Sequence, residues 1–141
     1  MNNRTIEDMD RLEKLEEAIL ELKTLAESGA VIVVEGKKDV ESLKHIGIDG
    51  DIRLATHQPL IGFTESLTKS GAEIVILTDW DRKGGIIARK IITYLLSYGI
   101  MPNTEIRSRI RGLVKKSIKD VESLGNYIDK MRFELLGIPR F

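Results

Sequence analysis

The chain has 141 residues, 42% apolar and 31% charged, with 22 basic and 22 acidic side chains; it is long enough for one domain with a single core and too apolar to be disordered. It has no cysteine and only two histidines, His45 and His57, which excludes disulfides and thiolate zinc and leaves a hard cation on oxygen ligands as the metal to consider. No apolar run reaches the roughly 18 residues of a membrane span, and the polar start MNNRTIEDMD is unlike a signal peptide, so a cytoplasmic protein with no membrane partner is expected.

Thr5–Ser28 reads as an amphipathic helix. Leu12, Leu15, Ile19, Leu22 and Ala26 recur at spacings of three and four, Thr5 and Asp8 can form a capping box, and Gly29 follows the end. The stripe is expected to lie across the core; being heptad-like, it is also the candidate seam of a homodimer. AVIVVEG (Ala30–Gly36) is continuously apolar, as suits a central parallel strand covered on both faces. KKDVESLKHIG is then a short helix, DIRLAT (Asp51–Thr56) a second strand, and LIGFTESLTKSG, after Pro59, a helix ended by Gly71. EIVILTD (Glu73–Asp79) is another buried strand. GGIIARKIITYLLSYG (Gly84–Gly99) is the strongest helix, with Ile87, Ile91, Tyr94, Leu95 and Tyr98 on one side. TEIRSRIR (Thr104–Arg111) alternates and reads as a fourth strand, and a Ser117–Asp120 capping box would open a last helix through Val121, Leu124, Ile128, Met131 and Leu135.

Strands alternating with helices predict a single Rossmann-like α/β domain: a four-stranded, mostly parallel sheet with helices on both faces, preceded by the amphipathic helix. The expected organisation is residues 1–29 as a helix on the core, 30–111 as the core itself and 112–141 as a helical extension completing the domain. The zero net charge conceals a gradient, since residues 1–29 carry four basic and eight acidic groups and residues 99–141 nine and five. Arg107–Lys119 holds six cations (Arg107, Arg109, Arg111, Lys115, Lys116, Lys119) and no acid, a candidate nucleic-acid surface. The same charges could instead protect an exposed edge strand from pairing.

In open α/β sheets ligands bind at the carboxyl ends of the strands. Glu35 stands at the end of the first strand and Asp79 and Asp81 at the end of the third. If those strands are neighbours, three carboxylates converge, and they repel unless protonated or shared with a cation. Mg²⁺ is the natural counter-ion, with Mn²⁺ the alternative, because it takes one or two carboxylates and fills its remaining positions with water and phosphate. Both strands run into glycine-bearing turns that start helices, whose free N–H groups suit phosphate. His57, in a loop beside a proline, is weaker as a substrate contact, and Trp80 is expected to pack on a neighbouring loop.

VVEGKKD, followed about forty residues later by ILTDWDRKGG, resembles the Toprim domain, the catalytic module shared by topoisomerases, primases and certain nucleases. The resemblance covers roughly Ala30–Arg111. It implies Glu35 as general acid or base and metal neighbour, Asp79 and Asp81 as Mg²⁺ ligands, and Gly36 as the point where the backbone comes close to substrate. Lys37 or Lys38, together with Asp39, would correspond to the lysine and aspartate of the ribonucleases that mature ribosomal 5S RNA and of small stand-alone Toprim proteins, the branch this chain most resembles. Thr56, Arg82 and Lys83 are the further candidate phosphate contacts. THQPL lacks the glycine frequent in that loop among maturases and primases, and Gly84 is followed by Gly85 where topoisomerases usually have Gly-Glu.

Tyr94, Tyr98 and Tyr127 sit in helical patterns rather than as nucleophiles, no cysteine is present for a primase-type zinc module, and no P-loop occurs. A minimal module is therefore expected. Its leading function is Mg²⁺-dependent phosphodiester hydrolysis on nucleic acid, RNA over DNA; the rivals are a non-catalytic Toprim adaptor in a larger processing complex and a nucleotide-binding regulator.

Overall fold

The computed structural model describes residues 2–139. Three short strands, β1 (Val31–Val34), β2 (Asp51–Leu54) and β3 (Ile74–Ile76), form a parallel sheet in the order β2-β1-β3. Val31 stands opposite both Asp51 and Ile74. Among the described residues there are also six helices: α1 (Asn3–Glu27), α2 (Lys37–His45), α3 (Leu60–Thr68), α4 (Arg82–Ser97), α5 (Glu105–Val114) and α6 (Leu124–Leu136).

Because successive strand residues point to opposite faces, β1 and β3 feed two cores. Ile32, Val34, Val75 and Leu77 pack with residues of α1, α2, α5 and α6, whereas Val31, Val33, Ile74 and Ile76 pack with Phe63 and Leu67 of α3 and Ala88, Ile91 and Leu95 of α4. This explains the lack of alternation: a strand covered on both faces has no polar side. The apolar stripe of α1 is used on the first core, where Leu12, Leu15, Ala18, Ile19, Leu22 and Ala26 are buried. Each full burial of a large aliphatic side chain stabilises by roughly 1.5–3 kcal/mol. Among the described residues no helix is long and apolar enough to cross a membrane.

The fourth strand expected at Thr104–Arg111 is a helix. Ile106, Ile110 and Val114 are buried at four-residue spacing, and the exposed Ser108 breaks the alternation. In so short a segment Ile106 and Ile110 satisfy both periods, and only Val114 separates them. The Asn103 carboxamide oxygen accepts from the N–H groups of Glu105 and Ile106 and so starts the helix. What exists of a fourth strand is one parallel bridge from Asn103 to Val75.

Helix ends differ as well. Asn2, not Thr5, caps α1 by accepting from Thr5 N–H at 2.8 Å. No Ser117–Asp120 box opens the last helix: Asp120 accepts from Ser123 N–H in a loop, and α6 begins at Leu124. Tyr98, expected inward, lies beyond α4 and is exposed.

Candidate metal and phosphodiester site

Three strand ends fix Glu35. The first residue after β1, it is only 7% exposed. Its carbonyl accepts from the Thr56 hydroxyl at 2.5 Å and from Thr56 N–H, tying it to the chain after β2. Its carboxylate accepts from Asp79 N–H at 2.8 Å, tying it to the chain after β3. From the first turn of α2, Asp39 reaches back and accepts from the N–H groups of Glu35 and Gly36 at 3.2 and 3.0 Å. The Glu35 side chain is thereby held against the Asp79 backbone in one arrangement.

The segment after β3 is held as firmly. Arg107, from α5, donates to the carbonyls of Thr78 and Asp79 at 2.8 and 2.6 Å. The Asp79 carboxylate accepts from Val121 N–H at 2.9 Å, so the loop before α6 closes over it. Asp81 points to the start of α4, capping it through Gly84 N–H at 2.7 Å. Gly84 is required by packing: a Cβ there would lie 1.9 Å from the Asp79 carbonyl oxygen, and the Thr78 hydroxyl donates to the Gly84 carbonyl. Trp80 is anchored by its indole N–H to the Ile118 carbonyl and packs on the first core.

Glu35 and Asp79 thus share one rim with Asp39, while Asp81 stands beside them, exposed, at the helix start. Burial pushes the Asp79 carboxyl up to about 8, and the negative charges of Asp39 and Glu35 add to the effect against the Val121 hydrogen bond. Burial also raises Asp39, against its two backbone hydrogen bonds. Metal-free protein folded with a protonated Asp79 binds a proton that the unfolded chain, with Asp near 3.8, releases. Its stability should therefore fall as pH rises from about 4 to about 8 and level off above. Urea midpoints in EDTA at pH 5 and 8.5 check this, and Asp79→Asn should remove most of the difference.

Among the described residues no three acids or histidines close into a cage that could hold a metal ion by themselves. What is present fits a hard, partly hydrated cation. Glu35, Asp79 and Asp81 each give one oxygen to a backbone N–H and keep the other without a backbone partner. Mg²⁺ needs only one or two such carboxylates.

The remaining candidates divide by environment. Lys37 and Lys38 are exposed in the first turn of α2, with Lys38 3.7 Å from Glu122. Gly36 N–H is already taken by Asp39, and Thr56 is engaged with the Glu35 carbonyl. Arg82 and Lys83 are exposed in the first turn of α4, and Lys115, Lys116 and Lys119 are exposed after α5. Arg109 faces away, paired with Glu21 of α1 at 2.5 Å and Glu105 at 2.8 Å. His57 is exposed, with a left-handed backbone at φ 65°. Arg107 as a backbone clamp and Val121 as a partner of Asp79 left no local mark in the sequence. Gly84 did leave one, since glycine in a first helical turn costs stability unless packing requires it.

Residues 30–113 match the Toprim domain family. A UPF0292 protein of Methanosarcina barkeri is 51% identical over 124 residues, covering 88% of this chain and 87% of that one. A second, from Methanocaldococcus jannaschii, is 40% identical over 122 residues, covering 86% and 94%. A solved structure of a protein from Aquifex aeolicus is similar with a TM-score of 0.63 at 28% identity, covering 77% of this chain and 95% of that one. With the family's span running from β1 through α5 and enclosing Glu35, Asp79 and Asp81, the chain belongs to the Toprim family.

Proposed function

We propose that the rim around Glu35 and Asp79 hydrolyses phosphodiester bonds in nucleic acid with Mg²⁺, and that the protein is an RNA-processing nuclease. The observation that carries this reading is the gathering of the Glu35, Asp79 and Asp39 carboxylates at the strand ends, where the Glu35 carboxylate accepts from Asp79 N–H at 2.8 Å and Asp39 from Glu35 N–H at 3.2 Å. A cluster that is costly to ionise alone is relieved by a shared cation. Toprim membership supports a metal-dependent role on nucleic acid, and the likeness of EGKKD and ILTDWDRKGG to the 5S RNA maturases favours RNA as substrate.

Asp79, with Asp81 or Glu35, would hold the ion, which supplies charge stabilisation at phosphorus and a more acidic water. Glu35 takes the proton as water adds to phosphorus and returns it to the departing oxygen. Asp39 and Thr56 fix the backbone of Glu35, and Arg107 fixes that of Asp79. Lys37, Lys38, Arg82 and Lys83 sit in the first turns of two helices, where a phosphodiester backbone would be attracted. Mg²⁺-dependent cleavage of structured RNA, abolished by EDTA, is the test.

One observation favours the rival of a non-catalytic adaptor: each of the three acids already commits an oxygen to the backbone. RNA binding with no turnover in Mg²⁺ or Mn²⁺ would establish it. A homodimer through α1 would have to use Ile6 and Leu20, which are exposed, because the buried stripe is occupied by the core.

A further inference from the structure

A pocket lies beside the Asp81 side of the Glu35–Asp79 rim, between the start of α4 and α5. Its volume is about 330 Å³, and its lining includes Trp80, Asp81, Arg82, Arg89, Arg107 and Arg111. Four guanidinium groups thus gather around one carboxylate, and that carboxylate already caps α4. Arg11, Arg53, Arg109 and Arg132 each have a carboxylate within 4.0 Å. Among the described residues Arg82, Arg89, Arg107 and Arg111 have none within that distance. Of the five described arginines without an acidic partner, four line this hollow, and only Arg4, near the start of α1, lies elsewhere.

Burial, and then the neighbouring Arg111, make the Arg107 guanidinium less basic, against the pull of the Glu35, Asp79 and Asp81 carboxylates. Arg107 spends two donors on the carbonyls after β3, so it serves as the floor. Arg82, Arg89 and Arg111 are exposed and keep their donors free, and the Arg89 guanidinium lies over Gly85, where no side chain intervenes. The 16-residue α4 begins at Arg82, in the pocket lining, so the positive end of its dipole lies beside the pocket. The Trp80 indole is fixed by its N–H, leaving it able to contact a base or sugar at the edge. Planar forks of this kind match phosphate oxygens in pairs.

We propose that this pocket is a phosphate-binding site for the nucleic-acid strand, distinct from the phosphodiester held at the Glu35–Asp79 rim and adjoining it through Asp81. The assignment rests on the nucleic-acid reading above for the kind of molecule that brings the phosphate. A phosphate seated here sets how far along the strand the rim reaches. It is either a terminal monophosphate or an internal phosphate neighbouring the scissile one.

The test is binding of a short single-stranded RNA in EDTA, with either a 5′-monophosphate or a 5′-hydroxyl, followed by fluorescence anisotropy across a salt series. Arg89→Ala and Arg111→Ala should each weaken binding by about tenfold and flatten the salt slope by about 0.7. Arg109→Ala, whose side chain is ion-paired on the far side of α5, should change neither. If the phosphate is terminal, the wild type prefers the phosphorylated RNA and the variants lose that preference. If it is internal, both RNAs bind alike and weaken alike. Arg89→Lys and Arg111→Lys keep the charge and the fold but lose the fork, and should fall between wild type and the alanine variants. Wild-type affinity and slope in Arg89→Ala and Arg111→Ala would overturn the proposal, as would no RNA binding by the wild type. The assay needs no metal and no turnover, so a protein that binds here and cleaves nothing loses the catalytic reading and keeps this one.

Discussion

Gly84→Ala should destabilise the protein by about 3 kcal/mol or more, while Gly85→Ala, one residue along the same helix, should be neutral or slightly stabilising. The difference lies in what a methyl group meets. At Gly84 a Cβ would lie 1.9 Å from the Asp79 carbonyl oxygen and 2.5 Å from its carbon, both backbone atoms held by Arg107 and by the neighbouring strand end. At Gly85 the nearest atom is the far end of Arg89 at 3.7 Å, an ordinary contact. Alanine gains roughly 1 kcal/mol over glycine in a helix interior, which helps Gly85→Ala and is overwhelmed in Gly84→Ala. Because relief at Gly84 requires moving Asp79 itself, any folded Gly84→Ala protein should also lose divalent-cation binding. Urea unfolding of the two variants, with Mg²⁺ titrations on whichever remains folded, checks both parts.

Glu35→Gln should lower turnover by about 10²–10⁴-fold, the range for a positioned acid–base group, and leave RNA affinity almost unchanged. Glutamine keeps an oxygen to accept from Asp79 N–H, so the link between the ends of β1 and β3 survives. What it cannot do is carry the proton. Glu35→Ala is a poorer probe, since it leaves the Asp79 N–H unpartnered and mixes a folding defect with a chemical one. A single-turnover rate and a separately measured binding constant for Glu35→Gln distinguish lost chemistry from lost binding. Equal loss of Mg²⁺ binding in Glu35→Gln and Asp79→Asn would make Glu35 chiefly a ligand.

β1 and β3 were legible because burial on both faces leaves an uninterrupted apolar run, and the acids that follow such runs are placed at the sheet's rim by topology alone. Glu35 and Asp79 could therefore be paired from sequence. The eight residues Thr104–Arg111 could not be read correctly by themselves, because Ile106 and Ile110 are consistent with either period. Contacts of long sequence separation were hidden in principle. Arg107 read as one cation in a basic run, yet its guanidinium closes on carbonyls 28 and 29 residues earlier. Arg109, two positions on, points from the same helix to the acidic face of α1. Helical periodicity separates such neighbours, and a charge count along the chain merges them.

The most direct test of the central claim, that this rim is built to hold a divalent cation, is the thermal midpoint at pH 8.5 with and without Mg²⁺ for the wild type and Asp79→Asn. Ionised Asp79 is strained without a cation at that pH, so Mg²⁺ should raise the wild-type midpoint clearly and leave Asp79→Asn nearly unmoved. In EDTA Asp79→Asn should be at least as stable as the wild type. A wild-type midpoint indifferent to Mg²⁺, or an equal rise in Asp79→Asn, would contradict the account.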